Sequence, residues 1–182
     1  MSALDLMAPN PEVERRARAL ALLLLDVDGV LTDGSLYLSD DGQEYKAFHS
    51  RDGHGMVMLQ NTGVRIGIIT GRSSEVVRRR MEALGVQHVH QGARDKLGVY
   101  QKLRAELGLA DEQIGFVGDD IVDLAVMRRV GLAVAVQDAH PLVKRHAHWH
   151  TRHPGGRGAV REVCEIIMAA QGTLSGVLET YL

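Results

Sequence analysis

The sequence is poor in several features that mark large classes of protein. It contains one cysteine, which excludes an internal disulfide and is typical of a reducing compartment. Aromatic residues make up 4% of the chain and the formal net charge is -2, so the stacking surfaces and the positive charge used in nucleic-acid binding are both scarce. We therefore expect no nucleic-acid partner.

Long apolar runs are also absent. The run at 19–25 is much shorter than the roughly 20 residues of a membrane-spanning helix. Residues 11–16, which precede it, carry acidic side chains, and no small-residue cleavage site follows it, so a signal peptide is not expected. These features predict a cytoplasmic protein with no membrane partner.

The residues that are present are typical of one globular domain. The chain is 45% hydrophobic and 24% charged over 182 residues, and a chain of that size buries about 70% of its unfolded surface. Cys164 falls on the apolar face of a helical pattern, which favours a core thiol over a nucleophile. We predict a single domain over 1–182, with a C-terminal tail at 172–182.

Strand-like and helix-like patterns alternate along the chain. This alternation predicts βαβ units and therefore an α/β fold with a doubly wound, Rossmann-like parallel sheet. A polar loop is predicted at 49–55, followed by a helix at about 55–61. The predicted strands lie at 20–25, 64–70, 87–90, 114–118, 132–136 and 148–150.

A hairpin interrupts this alternation at 35–48. Its two arms alternate in polarity around an Asp-Gly turn at 40–42, which is a strong hairpin signal. An isolated hairpin is marginally stable in water. Since this one carries apolar side chains, we expect it to pack on its own domain or on another subunit; these side chains are Leu36, Leu38, Tyr45 and Phe48.

Acidic side chains collect where three predicted strands end. Asp26 and Asp28 follow the apolar run at 20–25, Thr70 ends the second strand, and a further group of acids follows 114–118. Parallel strands place their carboxyl ends at one edge of the sheet, so these groups are expected to meet. Carboxylates at this spacing repel one another unless a cation separates them, which favours a hard divalent ion such as Mg²⁺. Lys96, at the start of a helix, is the basic group expected to enter from the side.

Taken in order, these motifs resemble the four-motif signature of the haloacid dehalogenase-like phosphatases. The resemblance extends over nearly the whole chain. The four motifs are Asp-x-Asp-Gly-Val-Leu-Thr-Asp-Gly from Asp26, Ile-Ile-Thr-Gly-Arg ending at Arg72, the lone Lys96, and Gly-Asp-Asp-x-x-Asp ending at Asp123.

The resemblance implies a role for each matching residue. Asp26 would be the nucleophile that forms an aspartyl-phosphate. Asp28 would protonate the leaving oxygen and later activate water. Thr70 and Lys96 would bind the phosphoryl oxygens.

The same resemblance implies a magnesium site. Asp26, the main-chain carbonyl of Asp28 and Asp119 would hold Mg²⁺, and Asp123 would support them from the outer shell. The sequence does not distinguish Mg²⁺ from Mn²⁺ or Co²⁺.

Within that superfamily, the chain most resembles the 3-deoxy-D-manno-octulosonate 8-phosphate phosphatases. The similarity lies in the hairpin, in the segments at 46–53 and 139–141, and in the Gly-Gly-Arg-Gly stretch that leads into 159–162. Members of this group lack a cap domain and form homotetramers in which the hairpins build a central barrel. The resemblance implies hydrolysis of an eight-carbon sugar acid phosphate for the inner core of lipopolysaccharide. It implies substrate contacts at Asp28, His49, Ser50, Arg51, Asp52, Gly53, Arg72, Arg80, Lys96 and Arg157.

Two other functions stay open on the sequence. A related phosphatase acting on a nine-carbon keto-acid 9-phosphate of the sialic-acid type would differ in little more than pocket length. Similar domains also act as catalytically silent oligomerisation modules, although the complete motif set argues against this.

Two further patterns receive simpler interpretations. The alternating histidines His146, His148 and His150 lack a completing thiol or carboxylate, so a transition-metal site is disfavoured. The Gly-rich stretch at 155–158 lacks the frame of a phosphate loop and is interpreted as a mobile flap or a helix lead-in.

Overall fold

The fold is built on a parallel sheet that contains the apolar run before Asp26. The structure is a computed structural model that describes residues 10–182; the first nine residues of the predicted domain lie outside that range. In this range six parallel strands form one sheet in the order β5-β4-β1-β6-β7-β8. These strands are β1 Leu22–Leu25, β4 Arg65–Ile69, β5 His88–His90, β6 Ile114–Gly118, β7 Leu132–Ala135 and β8 Trp149–His150.

Helices connect the strands and cover the sheet. All four residues of β1 are buried, as expected for an inner strand that is covered on both faces. The helices are α1 Pro11–Arg18, α2 Ser50–Asn61, α3 Glu75–Ala83, α4 Lys96–Leu107, α5 Leu124–Met127, α6 Pro141–His146, α7 Ala159–Ala170 and α8 Leu174–Glu179. The prediction of a doubly wound parallel sheet is confirmed.

The strand order creates a switch point beside β1. The chain runs from β1 outward through β4 and β5, then crosses back to β6 on the other side of β1 and continues to β7 and β8. Two connections therefore leave neighbouring strands in opposite directions, which opens a crevice outside their carboxyl ends. Asp26 follows β1 and Asp119 follows β6, so the topology brings both acids to this crevice.

The inserted hairpin forms a small sheet of its own. β2 Tyr37–Leu38 pairs antiparallel with β3 Glu44–Tyr45. Phe48, at its base, packs against the main core. The apolar side chains nearer the tip do not, since Leu36, Leu38 and Tyr45 are between half and two thirds exposed in the single chain.

The predicted polar loop at 49–55 is wrong, because α2 already begins at Ser50. Gly53 and Gly55 lower the helix propensity of this stretch, but the helix forms and buries its inner face in the core. A Cβ at Gly53 would overlap the Arg80 guanidinium, and one at Gly55 would lie 2.8 Å from Cδ of Arg161. Close approach of neighbouring elements thus outweighs local propensity.

The rest of the chain agrees with the predicted pattern. Cys164 is fully buried in α7, as expected for a core thiol. The tail at 172–182 contains α8, which packs on the core through Leu174. None of the helices within residues 10–182 combines the length and apolar character needed to cross a bilayer.

Candidate active site

The site begins with the turn that follows β1. Gly29 has φ +85°, which an L residue rarely adopts, and this conformation turns the chain back after Asp28. Thr32 is buried and its Oγ1 accepts the backbone N–H groups of Gly34 at 3.2 Å and Gly29 at 3.4 Å. These bonds hold Asp26 and Asp28 at the carboxyl end of the strand.

Lys96 connects the ends of β1 and β6. Its Nζ donates to Asp26 Oδ2 and to Asp123 Oδ1, each at 2.7 Å, and its side chain is buried. Burial by itself would lower the pKa of Lys96, but the attraction of Asp123 and Asp26 outweighs burial and raises it. The lysine therefore carries a full positive charge beside Asp26.

Asp123 is fully occupied by protein donors. One oxygen accepts from Lys96, and the other accepts the backbone N–H groups of Asp119 at 3.1 Å and Asp120 at 3.4 Å. The residue is completely buried. Its carboxylate therefore orients Lys96 and the turn after β6. Its outer-shell role toward a metal stays a prediction.

Asp119 has the properties of a free metal ligand. Its Oδ1 is buried and has no hydrogen-bond partner. Oxygens of Asp26, Asp119 and Asp123 all lie within 4.8 Å of one another, and no other group of such residues in the 10–182 range has this geometry. Asp123 is already bonded to protein donors, so the unpaired Asp119 oxygen and the neighbouring Asp26 are the groups that a hard cation would bind.

The raised pKa values of Asp26 and Asp119 also favour a cation at this site. Burial, with repulsion from Asp123, raises the pKa of Asp26 to about 6, although Lys96 opposes the shift. Burial, with repulsion from Asp123 and Asp26, raises the pKa of Asp119 to about 7. A divalent ion would replace the protons that these acids otherwise bind.

A cleft of about 440 Å³ opens above these groups. Asp26, Lys96 and Asp119 lie at its floor, and the buried Thr70 lines it from the end of β4. Asp28 also lines the cleft, and its side chain is 20% exposed. A phosphate ester entering here would meet a carboxylate, an ammonium and a hydroxyl group together.

Only part of the predicted substrate-binding set lies at this cleft. Asp28, Arg72 and Lys96 line it. The Arg72 guanidinium is half exposed and donates to Glu44 Oε1 at 2.8 Å. These three are the members of the predicted set that border the cleft in the single chain.

A second part of that set is packed in the interior, away from the cleft lining. His49, Gly53 and Arg80 lie around a small interior gap, with the Arg80 guanidinium 6.0 Å from the centre of the Phe48 ring. The buried Asp52 carboxylate accepts the backbone N–H groups of Gly158 at 3.1 Å and Arg161 at 2.8 Å, so it caps the first turn of α7.

The remaining predicted contacts lie on the surface. Ser50 is exposed at the start of α2. Arg51 and Arg157 line a groove beside α7, and Arg157 pairs with Asp33 at 3.1 Å. Within one chain, the structure does not bring these residues to the cleft.

Two residues at the site were absent from the predicted set. The Lys46 ammonium contacts the Asp28 carboxylate, and Glu44 lies beside both Lys46 and Arg72. Alternation in the hairpin places 44 and 46 on one face, which is a weak signal for a shared target. No sequence pattern indicates that the target is Asp28.

The structure shows where the residues of the two simpler interpretations lie. His148 Nδ1 accepts the backbone N–H of Ala133 at 2.8 Å, which ties β8 to β7. The glycine-rich stretch leads into α7, and Gly156 donates from its backbone to Val30 O at 2.8 Å. A Cβ at Gly155 would overlap the carbonyl of Gly29, so this stretch packs directly on the turn that follows β1.

Comparisons with known proteins place the chain among phosphatases. A family model described as haloacid dehalogenase-like hydrolase matches residues 89–162. The 3-deoxy-D-manno-octulosonate 8-phosphate phosphatase of Yersinia pestis is 48% identical over 165 residues, which is 91% of this chain and 88% of that protein.

Solved structures agree with the sequence similarity. The 3-deoxy-D-manno-octulosonate 8-phosphate phosphatase of Moraxella catarrhalis, in complex with magnesium, phosphate and a KDO molecule, matches with a TM-score of 0.94 at 37% identity, covering 96% of this chain and 100% of that one. The cobalt-bound deoxy-D-mannose-octulosonate 8-phosphate phosphatase of Haemophilus influenzae matches with a TM-score of 0.85 at 36% identity, covering 88% and 94%.

Proposed function

The chain belongs to the 3-deoxy-D-manno-octulosonate 8-phosphate phosphatases of the haloacid dehalogenase-like superfamily, and we propose that it hydrolyses this sugar phosphate to the free sugar acid and phosphate. The observation that carries the proposal is the convergence of Asp26, Lys96 and Asp119 below a cleft that Asp28 also lines. Mg²⁺ is the cofactor; Asp26, Asp119 and the main-chain carbonyl of Asp28 would hold it, and it would supply positive charge against the phosphoryl oxygens.

The reaction runs in two displacement steps. Asp26 attacks phosphorus, so an aspartyl-phosphate bond forms while the ester P–O bond breaks, and Asp28 gives its proton to the departing sugar oxygen. Asp28 then takes a proton from water, which attacks the phosphorus and releases Asp26 and phosphate. Lys96 and Thr70 bind the phosphoryl oxygens in both steps.

The sugar acid is recognised by groups around the cleft. Its carboxylate is a bidentate partner for a guanidinium, and Arg72, which is half exposed, lines the cleft. The other predicted substrate contacts, His49, Ser50, Arg51, Asp52, Gly53, Arg80 and Arg157, remain predictions. Those on the surface would act on the cleft of a neighbouring subunit.

We further propose that the protein is a homotetramer built around its hairpins. Exposed apolar side chains concentrate there, with Leu38 66% and Tyr45 58% exposed, and burying them between copies removes this surface from water. Leu38→Asp should shift the protein to smaller species in sedimentation, while Leu142→Asp, on α6, should not. Wild-type protein that sediments only as a monomer at micromolar concentration would contradict the assembly.

The proposed setting follows from the substrate. We place the protein in the cytoplasm, as one phosphatase domain over 1–182, in the pathway to the inner core of lipopolysaccharide. The contiguous core that connects α1 to α8 supports the single domain.

A substrate panel tests the function. Phosphate release is measured from eight-carbon and nine-carbon sugar acid phosphates and from simple sugar phosphates, with Mg²⁺ or with chelator. We expect Mg²⁺-dependent release from the octulosonate 8-phosphate and none from the Asp26→Asn variant. Preference for a nine-carbon 9-phosphate would replace the substrate, and no release from any compound would favour a silent oligomerisation module.

A further inference from the structure

Lys46 is a buried lysine that the proposed mechanism does not use. It follows β3 at the base of the hairpin, and its side chain is 1% exposed. Its ammonium contacts Asp28 Oδ1 directly. A buried ammonium is stable only when it is paired, so this contact accounts for the position of the side chain.

The contact is part of a closed ring of alternating charges. Lys46 Nζ lies 3.4 Å from Glu44 Oε1, the Arg72 guanidinium donates to that same oxygen at 2.8 Å, and Arg72 Nε lies 3.8 Å from Asp28 Oδ2. Burial would raise the pKa of Glu44, but the hydrogen bond from Arg72 leads the groups that lower it overall. Glu44 is therefore ionised and holds both cations in place.

We propose that Lys46 is a positioning residue for Asp28, fixing the orientation of its carboxyl group so that Oδ2 faces the leaving oxygen of the substrate. Lys46 occupies Oδ1, and the nearest cation to Oδ2, Arg72 Nε, lies 3.8 Å away and outside hydrogen-bond distance, so Oδ2 is the oxygen open to exchange a proton with the leaving group. The hairpin thereby contributes to the chemistry of its own subunit. This inference rests on the role of Asp28 in the proposed function.

The alternative is that Lys46 only anchors the hairpin. The two roles differ in how variants respond to the leaving group. Departure of a sugar alkoxide requires a proton from Asp28, whereas p-nitrophenolate leaves without one. Since kcat/KM reports the steps up to loss of the leaving group, a positioning defect lowers it for the alkyl phosphate alone. An anchoring defect lowers it for both substrates.

The experiment compares kcat/KM for the octulosonate 8-phosphate and for p-nitrophenyl phosphate. Lys46→Met removes the charge, and Lys46→Gln is a second neutral variant in case the first does not fold. Lys102→Met, at an exposed site on α4, is the matched control. Both substrates are assayed on the same preparation, so their ratio does not depend on the fraction of folded enzyme.

For the Lys46 variants we expect the alkyl-to-aryl ratio to fall on the order of 10²-fold, the lower end of what general acid catalysis contributes. The Lys102 variant should keep the wild-type ratio. In an Asp28→Asn background, Lys46→Met should not lower the alkyl-to-aryl ratio further, because the carboxyl group that Lys46 orients is gone.

Two results would overturn the role of Lys46. One is an unchanged ratio in both Lys46 variants, and the other is an equal additional loss in the Asp28→Asn background. The proposed function would be wrong on a different result, namely that the wild type does not hydrolyse the octulosonate 8-phosphate. In that case the alkyl-to-aryl ratio of kcat/KM is measured with the alkyl phosphate that the wild type hydrolyses best.

Discussion

Replacing Gly29 with alanine should weaken Mg²⁺ binding at least tenfold, because the added methyl group would occupy the space of the Asp119 carboxylate. A Cβ at position 29 would lie 2.5 Å from Cγ of Asp119 and closer still to one of its oxygens. Asp119 is the proposed metal ligand whose Oδ1 has no protein partner. The substitution thus acts on the metal site without removing any polar group.

The magnitude follows from two separate costs. At φ +85° an L residue is strained by about 1–2 kcal/mol, which lowers overall stability. Ordinary contact begins at 3.4 Å, so the Asp119 carboxylate must withdraw by roughly 1 Å, about twice the ~0.5 Å tolerance of a functional site. Displacement of groups that orient metal ligands costs about 10–100-fold in metal affinity.

Gly34→Ala is the matched control. It lies in the same turn with φ +78°, but the nearest atom to its added Cβ is at 3.6 Å. Both variants therefore carry the backbone strain, and only Gly29→Ala crowds Asp119. The assay is a Mg²⁺ titration followed by isothermal calorimetry and by phosphate release. Equal Mg²⁺ affinities in the two variants would refute the placement of Asp119 at the metal.

Three further predictions concern charge and packing. Because the pKa values of Asp26 and Asp119 are raised to about 6 and about 7, protons compete with the metal below pH 7. The Mg²⁺ affinity should therefore tighten from about pH 5.5 to 8, and calorimetry should show proton release on binding. A Mg²⁺ affinity that does not change with pH would contradict this. Without metal, these acids bind more protons in the folded state than in the unfolded chain between about pH 4 and 7, so the free energy of unfolding should fall as pH rises through that window in denaturant titrations. Asp26→Asn should show a smaller fall, because only Asp119 then contributes. Asp52→Ala should lower the free energy of unfolding by about 1–3 kcal/mol through loss of the α7 cap, and a loss confined to kcat would argue for a substrate role instead.

Local sequence patterns were sufficient for the architecture of the site. The buried run before Asp26 and the short apolar runs before Thr70 and Asp119 each predict a strand that ends in a polar group. Parallel strands have their carboxyl ends at one edge, so the meeting of these groups follows from pattern and topology alone. Helix α2 is the exception, because Gly53 and Gly55 look like loop residues until their packing partners are known.

Contacts between distant segments were decided only by the tertiary structure. Asp52 caps a helix that begins more than 100 residues later, since its partner Arg161 is 109 positions away. Lys46 meets Asp28 because the hairpin folds back on the catalytic turn, and no periodicity encodes that direction.

The sequence by itself thus determined which residue types stand at the strand ends, because strand periodicity and turn chemistry are local. The tertiary structure decided which of the remaining polar residues line the cleft, are buried elsewhere or lie on the surface. That choice depends on which segments approach closely enough to exclude water, and an Asp at a buried helix end and an Asp in a cleft look alike until the fold has formed.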